Sequence, residues 1–169
     1  MNLDDFWKLI GDVHSSSRGN MPRKCALLRE SLAPMSLEQI RAFMDHFDGR
    51  MDEAYSWGLW GAAYVIGGGC GDDEFMDFRS TLISCGRERF ESALRDPDSL
   101  AEFYLTADAF YEGFAYVALA LYQDRSGQIP TRKGAHPSEQ SGLEWDDEDL
   151  PKRFPKLFAK YRPGGIDRR

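Results

Sequence analysis

Two pairs of acidic residues are spaced so that each pair lies on one face of a helix. Asp73 and Asp77 are four residues apart, as are Asp108 and Glu112, and both segments carry helical patterns of apolar residues. Two facing helices with two carboxylates apiece would offer the oxygen ligands that Mg²⁺ prefers. One hypothesis is therefore a small Mg²⁺-dependent hydrolase acting on a nucleotide or a phosphate ester. The spacing does not match the Glu-x-x-Glu pattern of all-helical nucleotide pyrophosphatases, so surface acids are the simpler interpretation.

Other sequence patterns of catalysis are missing. The glycine-rich segment 67–71 precedes a predicted helix, as phosphate-binding loops do, but it has no lysine and is followed by three acids that repel phosphate. His14, His46 and His136 are far apart and form no recognisable triad, so we expect each at the surface. No serine or cysteine lies in a nucleophile motif. The sequence predicts no catalytic residue and no cofactor, and it favours a protein that is not an enzyme.

Four large aromatic side chains are closely spaced in the segment 51–66, which is apolar on almost every side of a predicted helix. They are Tyr55, Trp57, Trp60 and Tyr64. Aromatic residues of this kind dominate ligand pockets and partner-binding surfaces, but they also pack the centre of helical bundles. Both interpretations stay open at this stage, and we predict that the two tryptophans are more than half shielded from water.

Two arginines follow the aromatic segment and are further candidates for binding. Arg79 and Arg87 lie within reach of it along the chain. They are also candidates to pair with Asp72, Asp73 or Asp77. Such an ion network would order the fold without taking part in chemistry.

The amino-acid composition limits the size of the fold and the kinds of partner that are compatible with this sequence. The chain has 169 residues, of which 42% are hydrophobic and 13% aromatic, enough for one domain with a packed core. A formal net charge of −7 repels nucleic acid and anionic membranes, so we expect another protein as the partner.

The three cysteines match no disulfide or zinc motif, the N-terminus is acidic where a signal peptide is basic, and no apolar segment suits a membrane span. We therefore expect a cytoplasmic protein.

Apolar residues recur at three- and four-residue spacing, whereas strand-like alternation is short. This pattern predicts an all-α, single-domain bundle of about six to eight helices with a long C-terminal extension. The segment 51–66, with two apolar faces, predicts a central helix, and 107–121 predicts the most regular helix. Ser36 and Gln39 match a capping box at the start of another helix.

The composition changes after residue 124. We predict a helical core domain at 1–124, a polar connection at 125–143, and a C-terminal tail at 144–169. The tail carries an acidic run and then apolar residues on one helical face. These residues are Phe154, Leu157, Phe158 and Tyr161. We expect a short helix there to dock on the core.

The segment 51–69, which contains WGLWGAAYVIGGG, is the most distinctive part of the chain. Together with the acids and Phe75 that follow, GRERF at 86–90 and DPDSL at 96–100, it resembles a bacterial family known as domain of unknown function 4240. The resemblance covers roughly residues 1–124. It implies a small bacterial cytosolic protein, and it implies no activity and no catalytic residue.

The remaining expectation about function rests on size, charge and the lack of a catalytic motif. We expect a non-enzymatic binding or regulatory protein whose acidic surface recognises another protein. An immunity- or antitoxin-like role fits, because an acidic face can neutralise a basic enzyme.

Overall fold

The computed structural model describes residues 1–103 and 107–164, and the backbone alone at 107 and 108. The described residues contain nine α-helices, eight of which have seven or more residues. Their bounds are α1 Leu3–Ser17, α2 Met21–Leu32, α3 Leu37–Glu53, α4 Trp57–Gly67, α5 Asp72–Ser84, α6 Arg87–Arg95, α7 Val117–Ser126, α8 Leu150–Arg153 and α9 Pro155–Tyr161. Three 3₁₀ helices connect α6 to α7, at Pro97–Glu102, Ala107–Phe110 and Glu112–Phe114. The prediction of an all-α bundle is confirmed.

Side-chain caps determine where several helices begin. The Asn2 side chain accepts the Asp5 N–H at 2.8 Å, and the Ser36 hydroxyl accepts the Gln39 N–H at 3.2 Å. In both cases the third helical residue bonds back to the capping residue, which completes a capping box. The capping box predicted at Ser36 is therefore present. Among the described residues, none of the helices has the length and apolar character needed to cross a membrane.

The helix at the centre of the bundle is α5. It packs against α1, α3, α4 and α6 and against two of the 3₁₀ helices. Its buried side chains include both large apolar groups and small hydroxyl groups. They are Phe75, Phe78, Ser80, Thr81, Leu82, Ile83 and Ser84. The small residues allow neighbouring helices to approach α5 on the sides that its large residues do not occupy.

The predicted central helix at 51–66 is wrong, because the chain breaks there. The helix α3 continues to Glu53, the backbone is extended at Ser56, and α4 begins at Trp57. The extended residues pair with Ser141, which accepts the Trp57 N–H at 2.9 Å and donates its own N–H to the Tyr55 carbonyl at 3.1 Å. The Ser56 hydroxyl caps α4 by accepting the Leu59 N–H at 3.2 Å. The break thus depends on a segment far away in the sequence.

The predicted regular helix at 107–121 is also wrong. Two 3₁₀ helices occupy its first half, and α7 begins only at Val117. The Tyr111 N–H donates to Thr81 Oγ1 at 3.2 Å, and the Phe110 ring packs 5.7 Å from the Phe78 ring. These contacts with α5 fix the segment in a conformation that its helical periodicity does not indicate.

The C-terminal segment returns to the core. Leu150, Phe154 and Leu157 are buried, at 0%, 4% and 0% exposure. The buried carboxylate of Asp98 accepts the N–H groups of Lys156 and Leu157 at 3.1 and 2.9 Å, which satisfies free amides at the start of α9. Residues 165–169 of the predicted tail lie outside the described residues.

Candidate functional site

Six aromatic rings form one continuous row, which we call the aromatic ladder. They come from the α3–α4 junction, α4, α5 and the C-terminal segment. In order along the row they are Tyr64, Trp145, Trp57, Trp60, Phe75 and Tyr55. Successive centroids are between 5.0 and 6.2 Å apart. Trp60 is nearly parallel to both Trp57 and Phe75, at 13° and 10°, and Trp145 stands edge-on to Trp57 at 89°. Stacked and edge-on contacts are the favourable arrangements of aromatic rings.

Hydrogen bonds hold the polar edges of the ladder in place. The Trp60 indole N–H donates to the Cys70 carbonyl at 2.8 Å, and that of Trp145 donates to the Trp57 carbonyl at 2.9 Å. The Gln140 amide donates to the Tyr55 hydroxyl at 2.7 Å. Phe75 is buried, whereas the other five rings are partly exposed. The ladder is therefore fixed in position and still partly accessible, and a surface held in this way loses less entropy on binding than a mobile one.

Exposed carboxylates lie in sequence beside two rings of the aromatic ladder, Phe75 and Trp145. Three of them come directly before Phe75, and three come directly after Trp145. They are Asp72, Asp73, Glu74, Asp146, Asp147 and Glu148. Their charge affects the neighbouring thiol of Cys70, whose pKa is raised to about 12 by burial and then by Glu74 and Asp72. Six exposed carboxylates thus adjoin ladder residues in the sequence and contribute negative charge to the surrounding solvent.

The structure brings four of the six predicted binding residues together. Tyr55, Trp57, Trp60 and Tyr64 all belong to the aromatic ladder. The guanidinium of Arg79 lies 4.8 Å from the ring centroids of both Tyr55 and Phe75, so Arg79 adjoins the ladder. Phe75 and Trp145 were not among the binding residues predicted from the sequence. The one available signal for Trp145 is a lone tryptophan within an acidic run.

Arg87 is separate from the ladder. It lies on the surface of α6 and pairs with Asp4 at 2.9 Å and Glu91 at 2.6 Å. Neither Arg79 nor Arg87 forms an ion pair with the acids of α5, which were candidates for this pairing. Arg79 donates instead to the backbone carbonyls of Met51 and Phe75, because α5 carries it towards the end of α3.

Two of the predicted metal ligands lie in the N-terminal half of α5, and the other two lie in the 3₁₀ helices at Ala107–Phe110 and Glu112–Phe114. Asp73 is exposed, Asp77 is partly buried and Glu112 is exposed, while the side chain of Asp108 lies outside the described residues. Burial, and then the charges of Glu112 and Asp73, raise the pKa of Asp77. Within the part of the chain that the structure describes, no three His, Cys, Asp or Glu side chains are grouped to hold a metal ion.

Two of the three histidines are not the surface residues that we expected. His46 is partly buried and its Nε2 lies 3.2 Å from the Met1 carbonyl, while His136 is exposed. His14 is partly buried beside Lys24 and Arg89. Burial and then these two cations lower the pKa of His14 to about 4, so its imidazole is neutral near pH 7.

The fold and this site define an all-α protein with an accessible row of aromatic rings between acidic side chains. Residues 1–124 match the family described as Protein of unknown function (DUF4240), and the chain belongs to this family. The resemblance seen in the sequence is thereby confirmed. No curated protein and no solved structure matches the chain. Five of the six ladder rings lie within the matched residues, and Trp145 lies beyond them.

Proposed function

We propose that this protein is a non-enzymatic binding protein of the bacterial cytoplasm that recognises a basic protein partner. The aromatic ladder and the exposed acids beside it form the proposed contact surface. The observation that carries the proposal is the row of three partly exposed tryptophans, Trp57, Trp60 and Trp145, held by stacking and hydrogen bonds.

Aromatic side chains and charge act in different ways on such a surface. Tryptophan and tyrosine supply large contact areas with few torsions to order, and they are enriched among the residues that dominate binding energy. Carboxylates around them attract a basic partner and exclude acidic ones, which raises the association rate and the specificity. A net charge of −7 extends this attraction over the whole molecule.

The proposed biological role is immunity- or antitoxin-like inhibition of a basic enzyme. Such an inhibitor needs a preformed acidic surface and no catalytic group of its own. The cytoplasmic location is supported by Cys25, Cys70 and Cys85, which are all free thiols.

The test is affinity capture from the source organism, followed by calorimetry with the purified partner. Asp146→Asn with Asp147→Asn removes two exposed charges beside Trp145 and leaves the side-chain volumes nearly unchanged. We expect the doubly substituted protein to bind about tenfold more weakly, since two charges at roughly 0.5–1 kcal/mol each amount to about 1.4 kcal/mol. Added salt should weaken the wild-type complex more than that of the variant.

Glu30→Gln with Glu38→Gln is the matched control, because both glutamates are exposed and belong to α2 and α3. Its affinity should equal that of the wild type. Equal losses in both double variants would indicate only a general effect of net charge. An unchanged affinity in the Asp146/Asp147 variant would contradict the proposed surface.

One observation favours a second candidate, the Mg²⁺-dependent hydrolase. The Oδ1 atom of Asp77 is buried without a hydrogen-bond partner, and the carboxylate is repelled by Glu112 and Asp73. A divalent cation would relieve this repulsion. Under our main proposal, millimolar Mg²⁺ or Mn²⁺ should leave the melting temperature unchanged. A rise that is lost in Asp77→Asn would favour the hydrolase instead, since saturating a real site contributes roughly 2–3 kcal/mol.

A further inference from the structure

A cavity of about 320 Å³ lies between α3, α5 and α7. Methionine and phenylalanine are the commonest residues in its wall, with six of the thirteen lining side chains. They are Phe43, Met44, Phe47, Met51, Met76 and Phe114. Binding sites for small molecules are concave and mostly apolar, with volumes of roughly 300–1,000 Å³. Methionine walls also adapt readily to the shape of a ligand.

One cation is fixed in the wall of this cavity. The Arg79 guanidinium donates from Nη1 to the Met51 carbonyl at 2.8 Å and from Nε to the Phe75 carbonyl at 3.3 Å. The rings of Tyr55 and Phe75 flank it. These two hydrogen bonds use two of its five N–H donors, and it forms no ion pair with a carboxylate of the described residues. The Arg79 side chain is therefore held in place, and its other N–H donors remain available to a ligand.

The nearest acids of α3 are held by another arginine. Arg132 forms an ion pair with Asp52, and its Nε lies 3.4 Å from the carboxylate of Asp48, which also lines the cavity. His136, at the cavity edge, has its Nδ1 3.5 Å from Asp52. Asp52 still attracts Arg79 from beyond ion-pair distance, but both carboxylates lie against Arg132, so the remaining N–H donors of Arg79 stay open to an incoming anion.

A second cavity of about 270 Å³ shares Met76, Arg79 and His136 with the first. Asp72 and Asp73 line it. Their charges repel any anion that approaches Arg79. A small inorganic anion makes no compensating contact with the apolar walls, so we expect it to bind weakly. An anion with an apolar body does gain from those walls, so the two cavities together select for that class of ligand.

We propose that the cavity binds an organic carboxylate with an apolar body, the carboxylate on Arg79 and the body against the methionine and phenylalanine walls. A volume of about 320 Å³ lies at the lower end of the roughly 300–1,000 Å³ of small-molecule sites, so a small ligand suits this cavity. A bidentate bond between the carboxylate and the guanidinium fixes the orientation. This ligand would bind without the protein partner proposed above, although Arg79 adjoins the aromatic ladder.

Calorimetry with octanoate, octanamide and acetate at pH 7.5 tests this site. Octanoate and octanamide have the same size, and only octanoate is charged. We expect octanoate to bind at least tenfold more tightly than octanamide, and acetate to show no binding. Arg79→Met should lower the octanoate affinity to that of octanamide and leave the octanamide affinity unchanged. Arg29→Met is the matched control, since Arg29 is exposed and pairs with Asp124, and it should bind both probes as the wild type does.

Leu119→Trp is a second test of binding in this cavity, because Leu119 lines the cavity and the larger ring fills it. This variant should bind neither octanoate nor octanamide. Equal affinities of the wild type for the two probes would overturn the proposal, as would no octanoate binding at millimolar concentration. Undiminished binding in Leu119→Trp would place the ligand elsewhere and also overturn it. If Arg79→Met does not fold, the wild-type comparison and Leu119→Trp decide the question.

Discussion

Lys24 is a basic residue in the core, where it is 2% exposed. Its Nζ donates to Ser84 Oγ at 3.0 Å, and it forms no ion pair with a carboxylate of the described residues. Burial lowers the pKa of Lys24, because the charged form loses hydration. The positive potential of Lys24 and Arg89 also opposes protonation of His14, the adjacent imidazole.

The depressed pKa of His14 predicts a loss of stability in mild acid. His14 titrates at about 4 in the folded protein and near 6.5 in the unfolded chain, so the unfolded chain binds more protons between these values. The free energy of unfolding should therefore fall as the pH drops from 6.5 towards 4. Solvent screening at this partly exposed ring limits the loss to about 1–2 kcal/mol.

Denaturant unfolding at several pH values measures this effect, and an NMR titration of the imidazole reports its pKa directly. His14→Gln should remove this part of the pH dependence. A His14 pKa near 6.5 in the folded protein would contradict the interpretation.

At the scale of secondary structure, Gly61 determines how closely α4 approaches the C-terminal segment. A Cβ at this position would lie 2.7 Å from a ring carbon of Phe154 and 3.0 Å from the Trp145 Nε1. Both neighbours are held, Phe154 by burial and Trp145 by its bond to Trp57. A glycine in α4 therefore permits both the docking of α8 and α9 and the completion of the aromatic ladder.

Gly61→Ala should destabilise the protein even though alanine favours helices. We expect a loss of about 1–3 kcal/mol from overpacking, measured by denaturant unfolding. Gly49→Ala is the matched control, because Gly49 lies within α3 and has no neighbouring atom within 4 Å of a Cβ. That substitution should stabilise by about 0.5–1 kcal/mol. Similar effects at both positions would show that packing at Gly61 is not tight.

Local patterns predicted some elements well and others poorly. The capping box at Ser36 and the helical face of α1 depend on residues three or four apart, and both were predictable. The break at Ser56 depends on Ser141, and the 3₁₀ turn at Tyr111 depends on Thr81. Periodicity contains no information on such distant partners. For the same reason four rings of the ladder were predictable, but their contact with Trp145 was not.

At the scale of the whole molecule, the C-terminal segment contributes to the core as well as to the ladder. Truncation after Gly142 removes the buried side chains of Leu150, Phe154 and Leu157. Each contributes roughly 1.5–3 kcal/mol before the entropy of ordering is subtracted. We expect a lower melting temperature and increased binding of an apolar dye. An unchanged melting temperature would mean that this segment does not support the fold in solution.

Tryptophan fluorescence tests the central claim most directly. Three of the four tryptophans belong to the aromatic ladder, and the fourth, Trp7, is 5% exposed in the core. With each ion's quenching of free tryptophan as the reference, caesium should quench the protein emission relatively more than iodide, because the cation is enriched near the carboxylates. A saturating basic partner should remove most of the caesium quenching. A partner that binds tightly and leaves this quenching unchanged would contradict the assignment of the ladder as the contact surface.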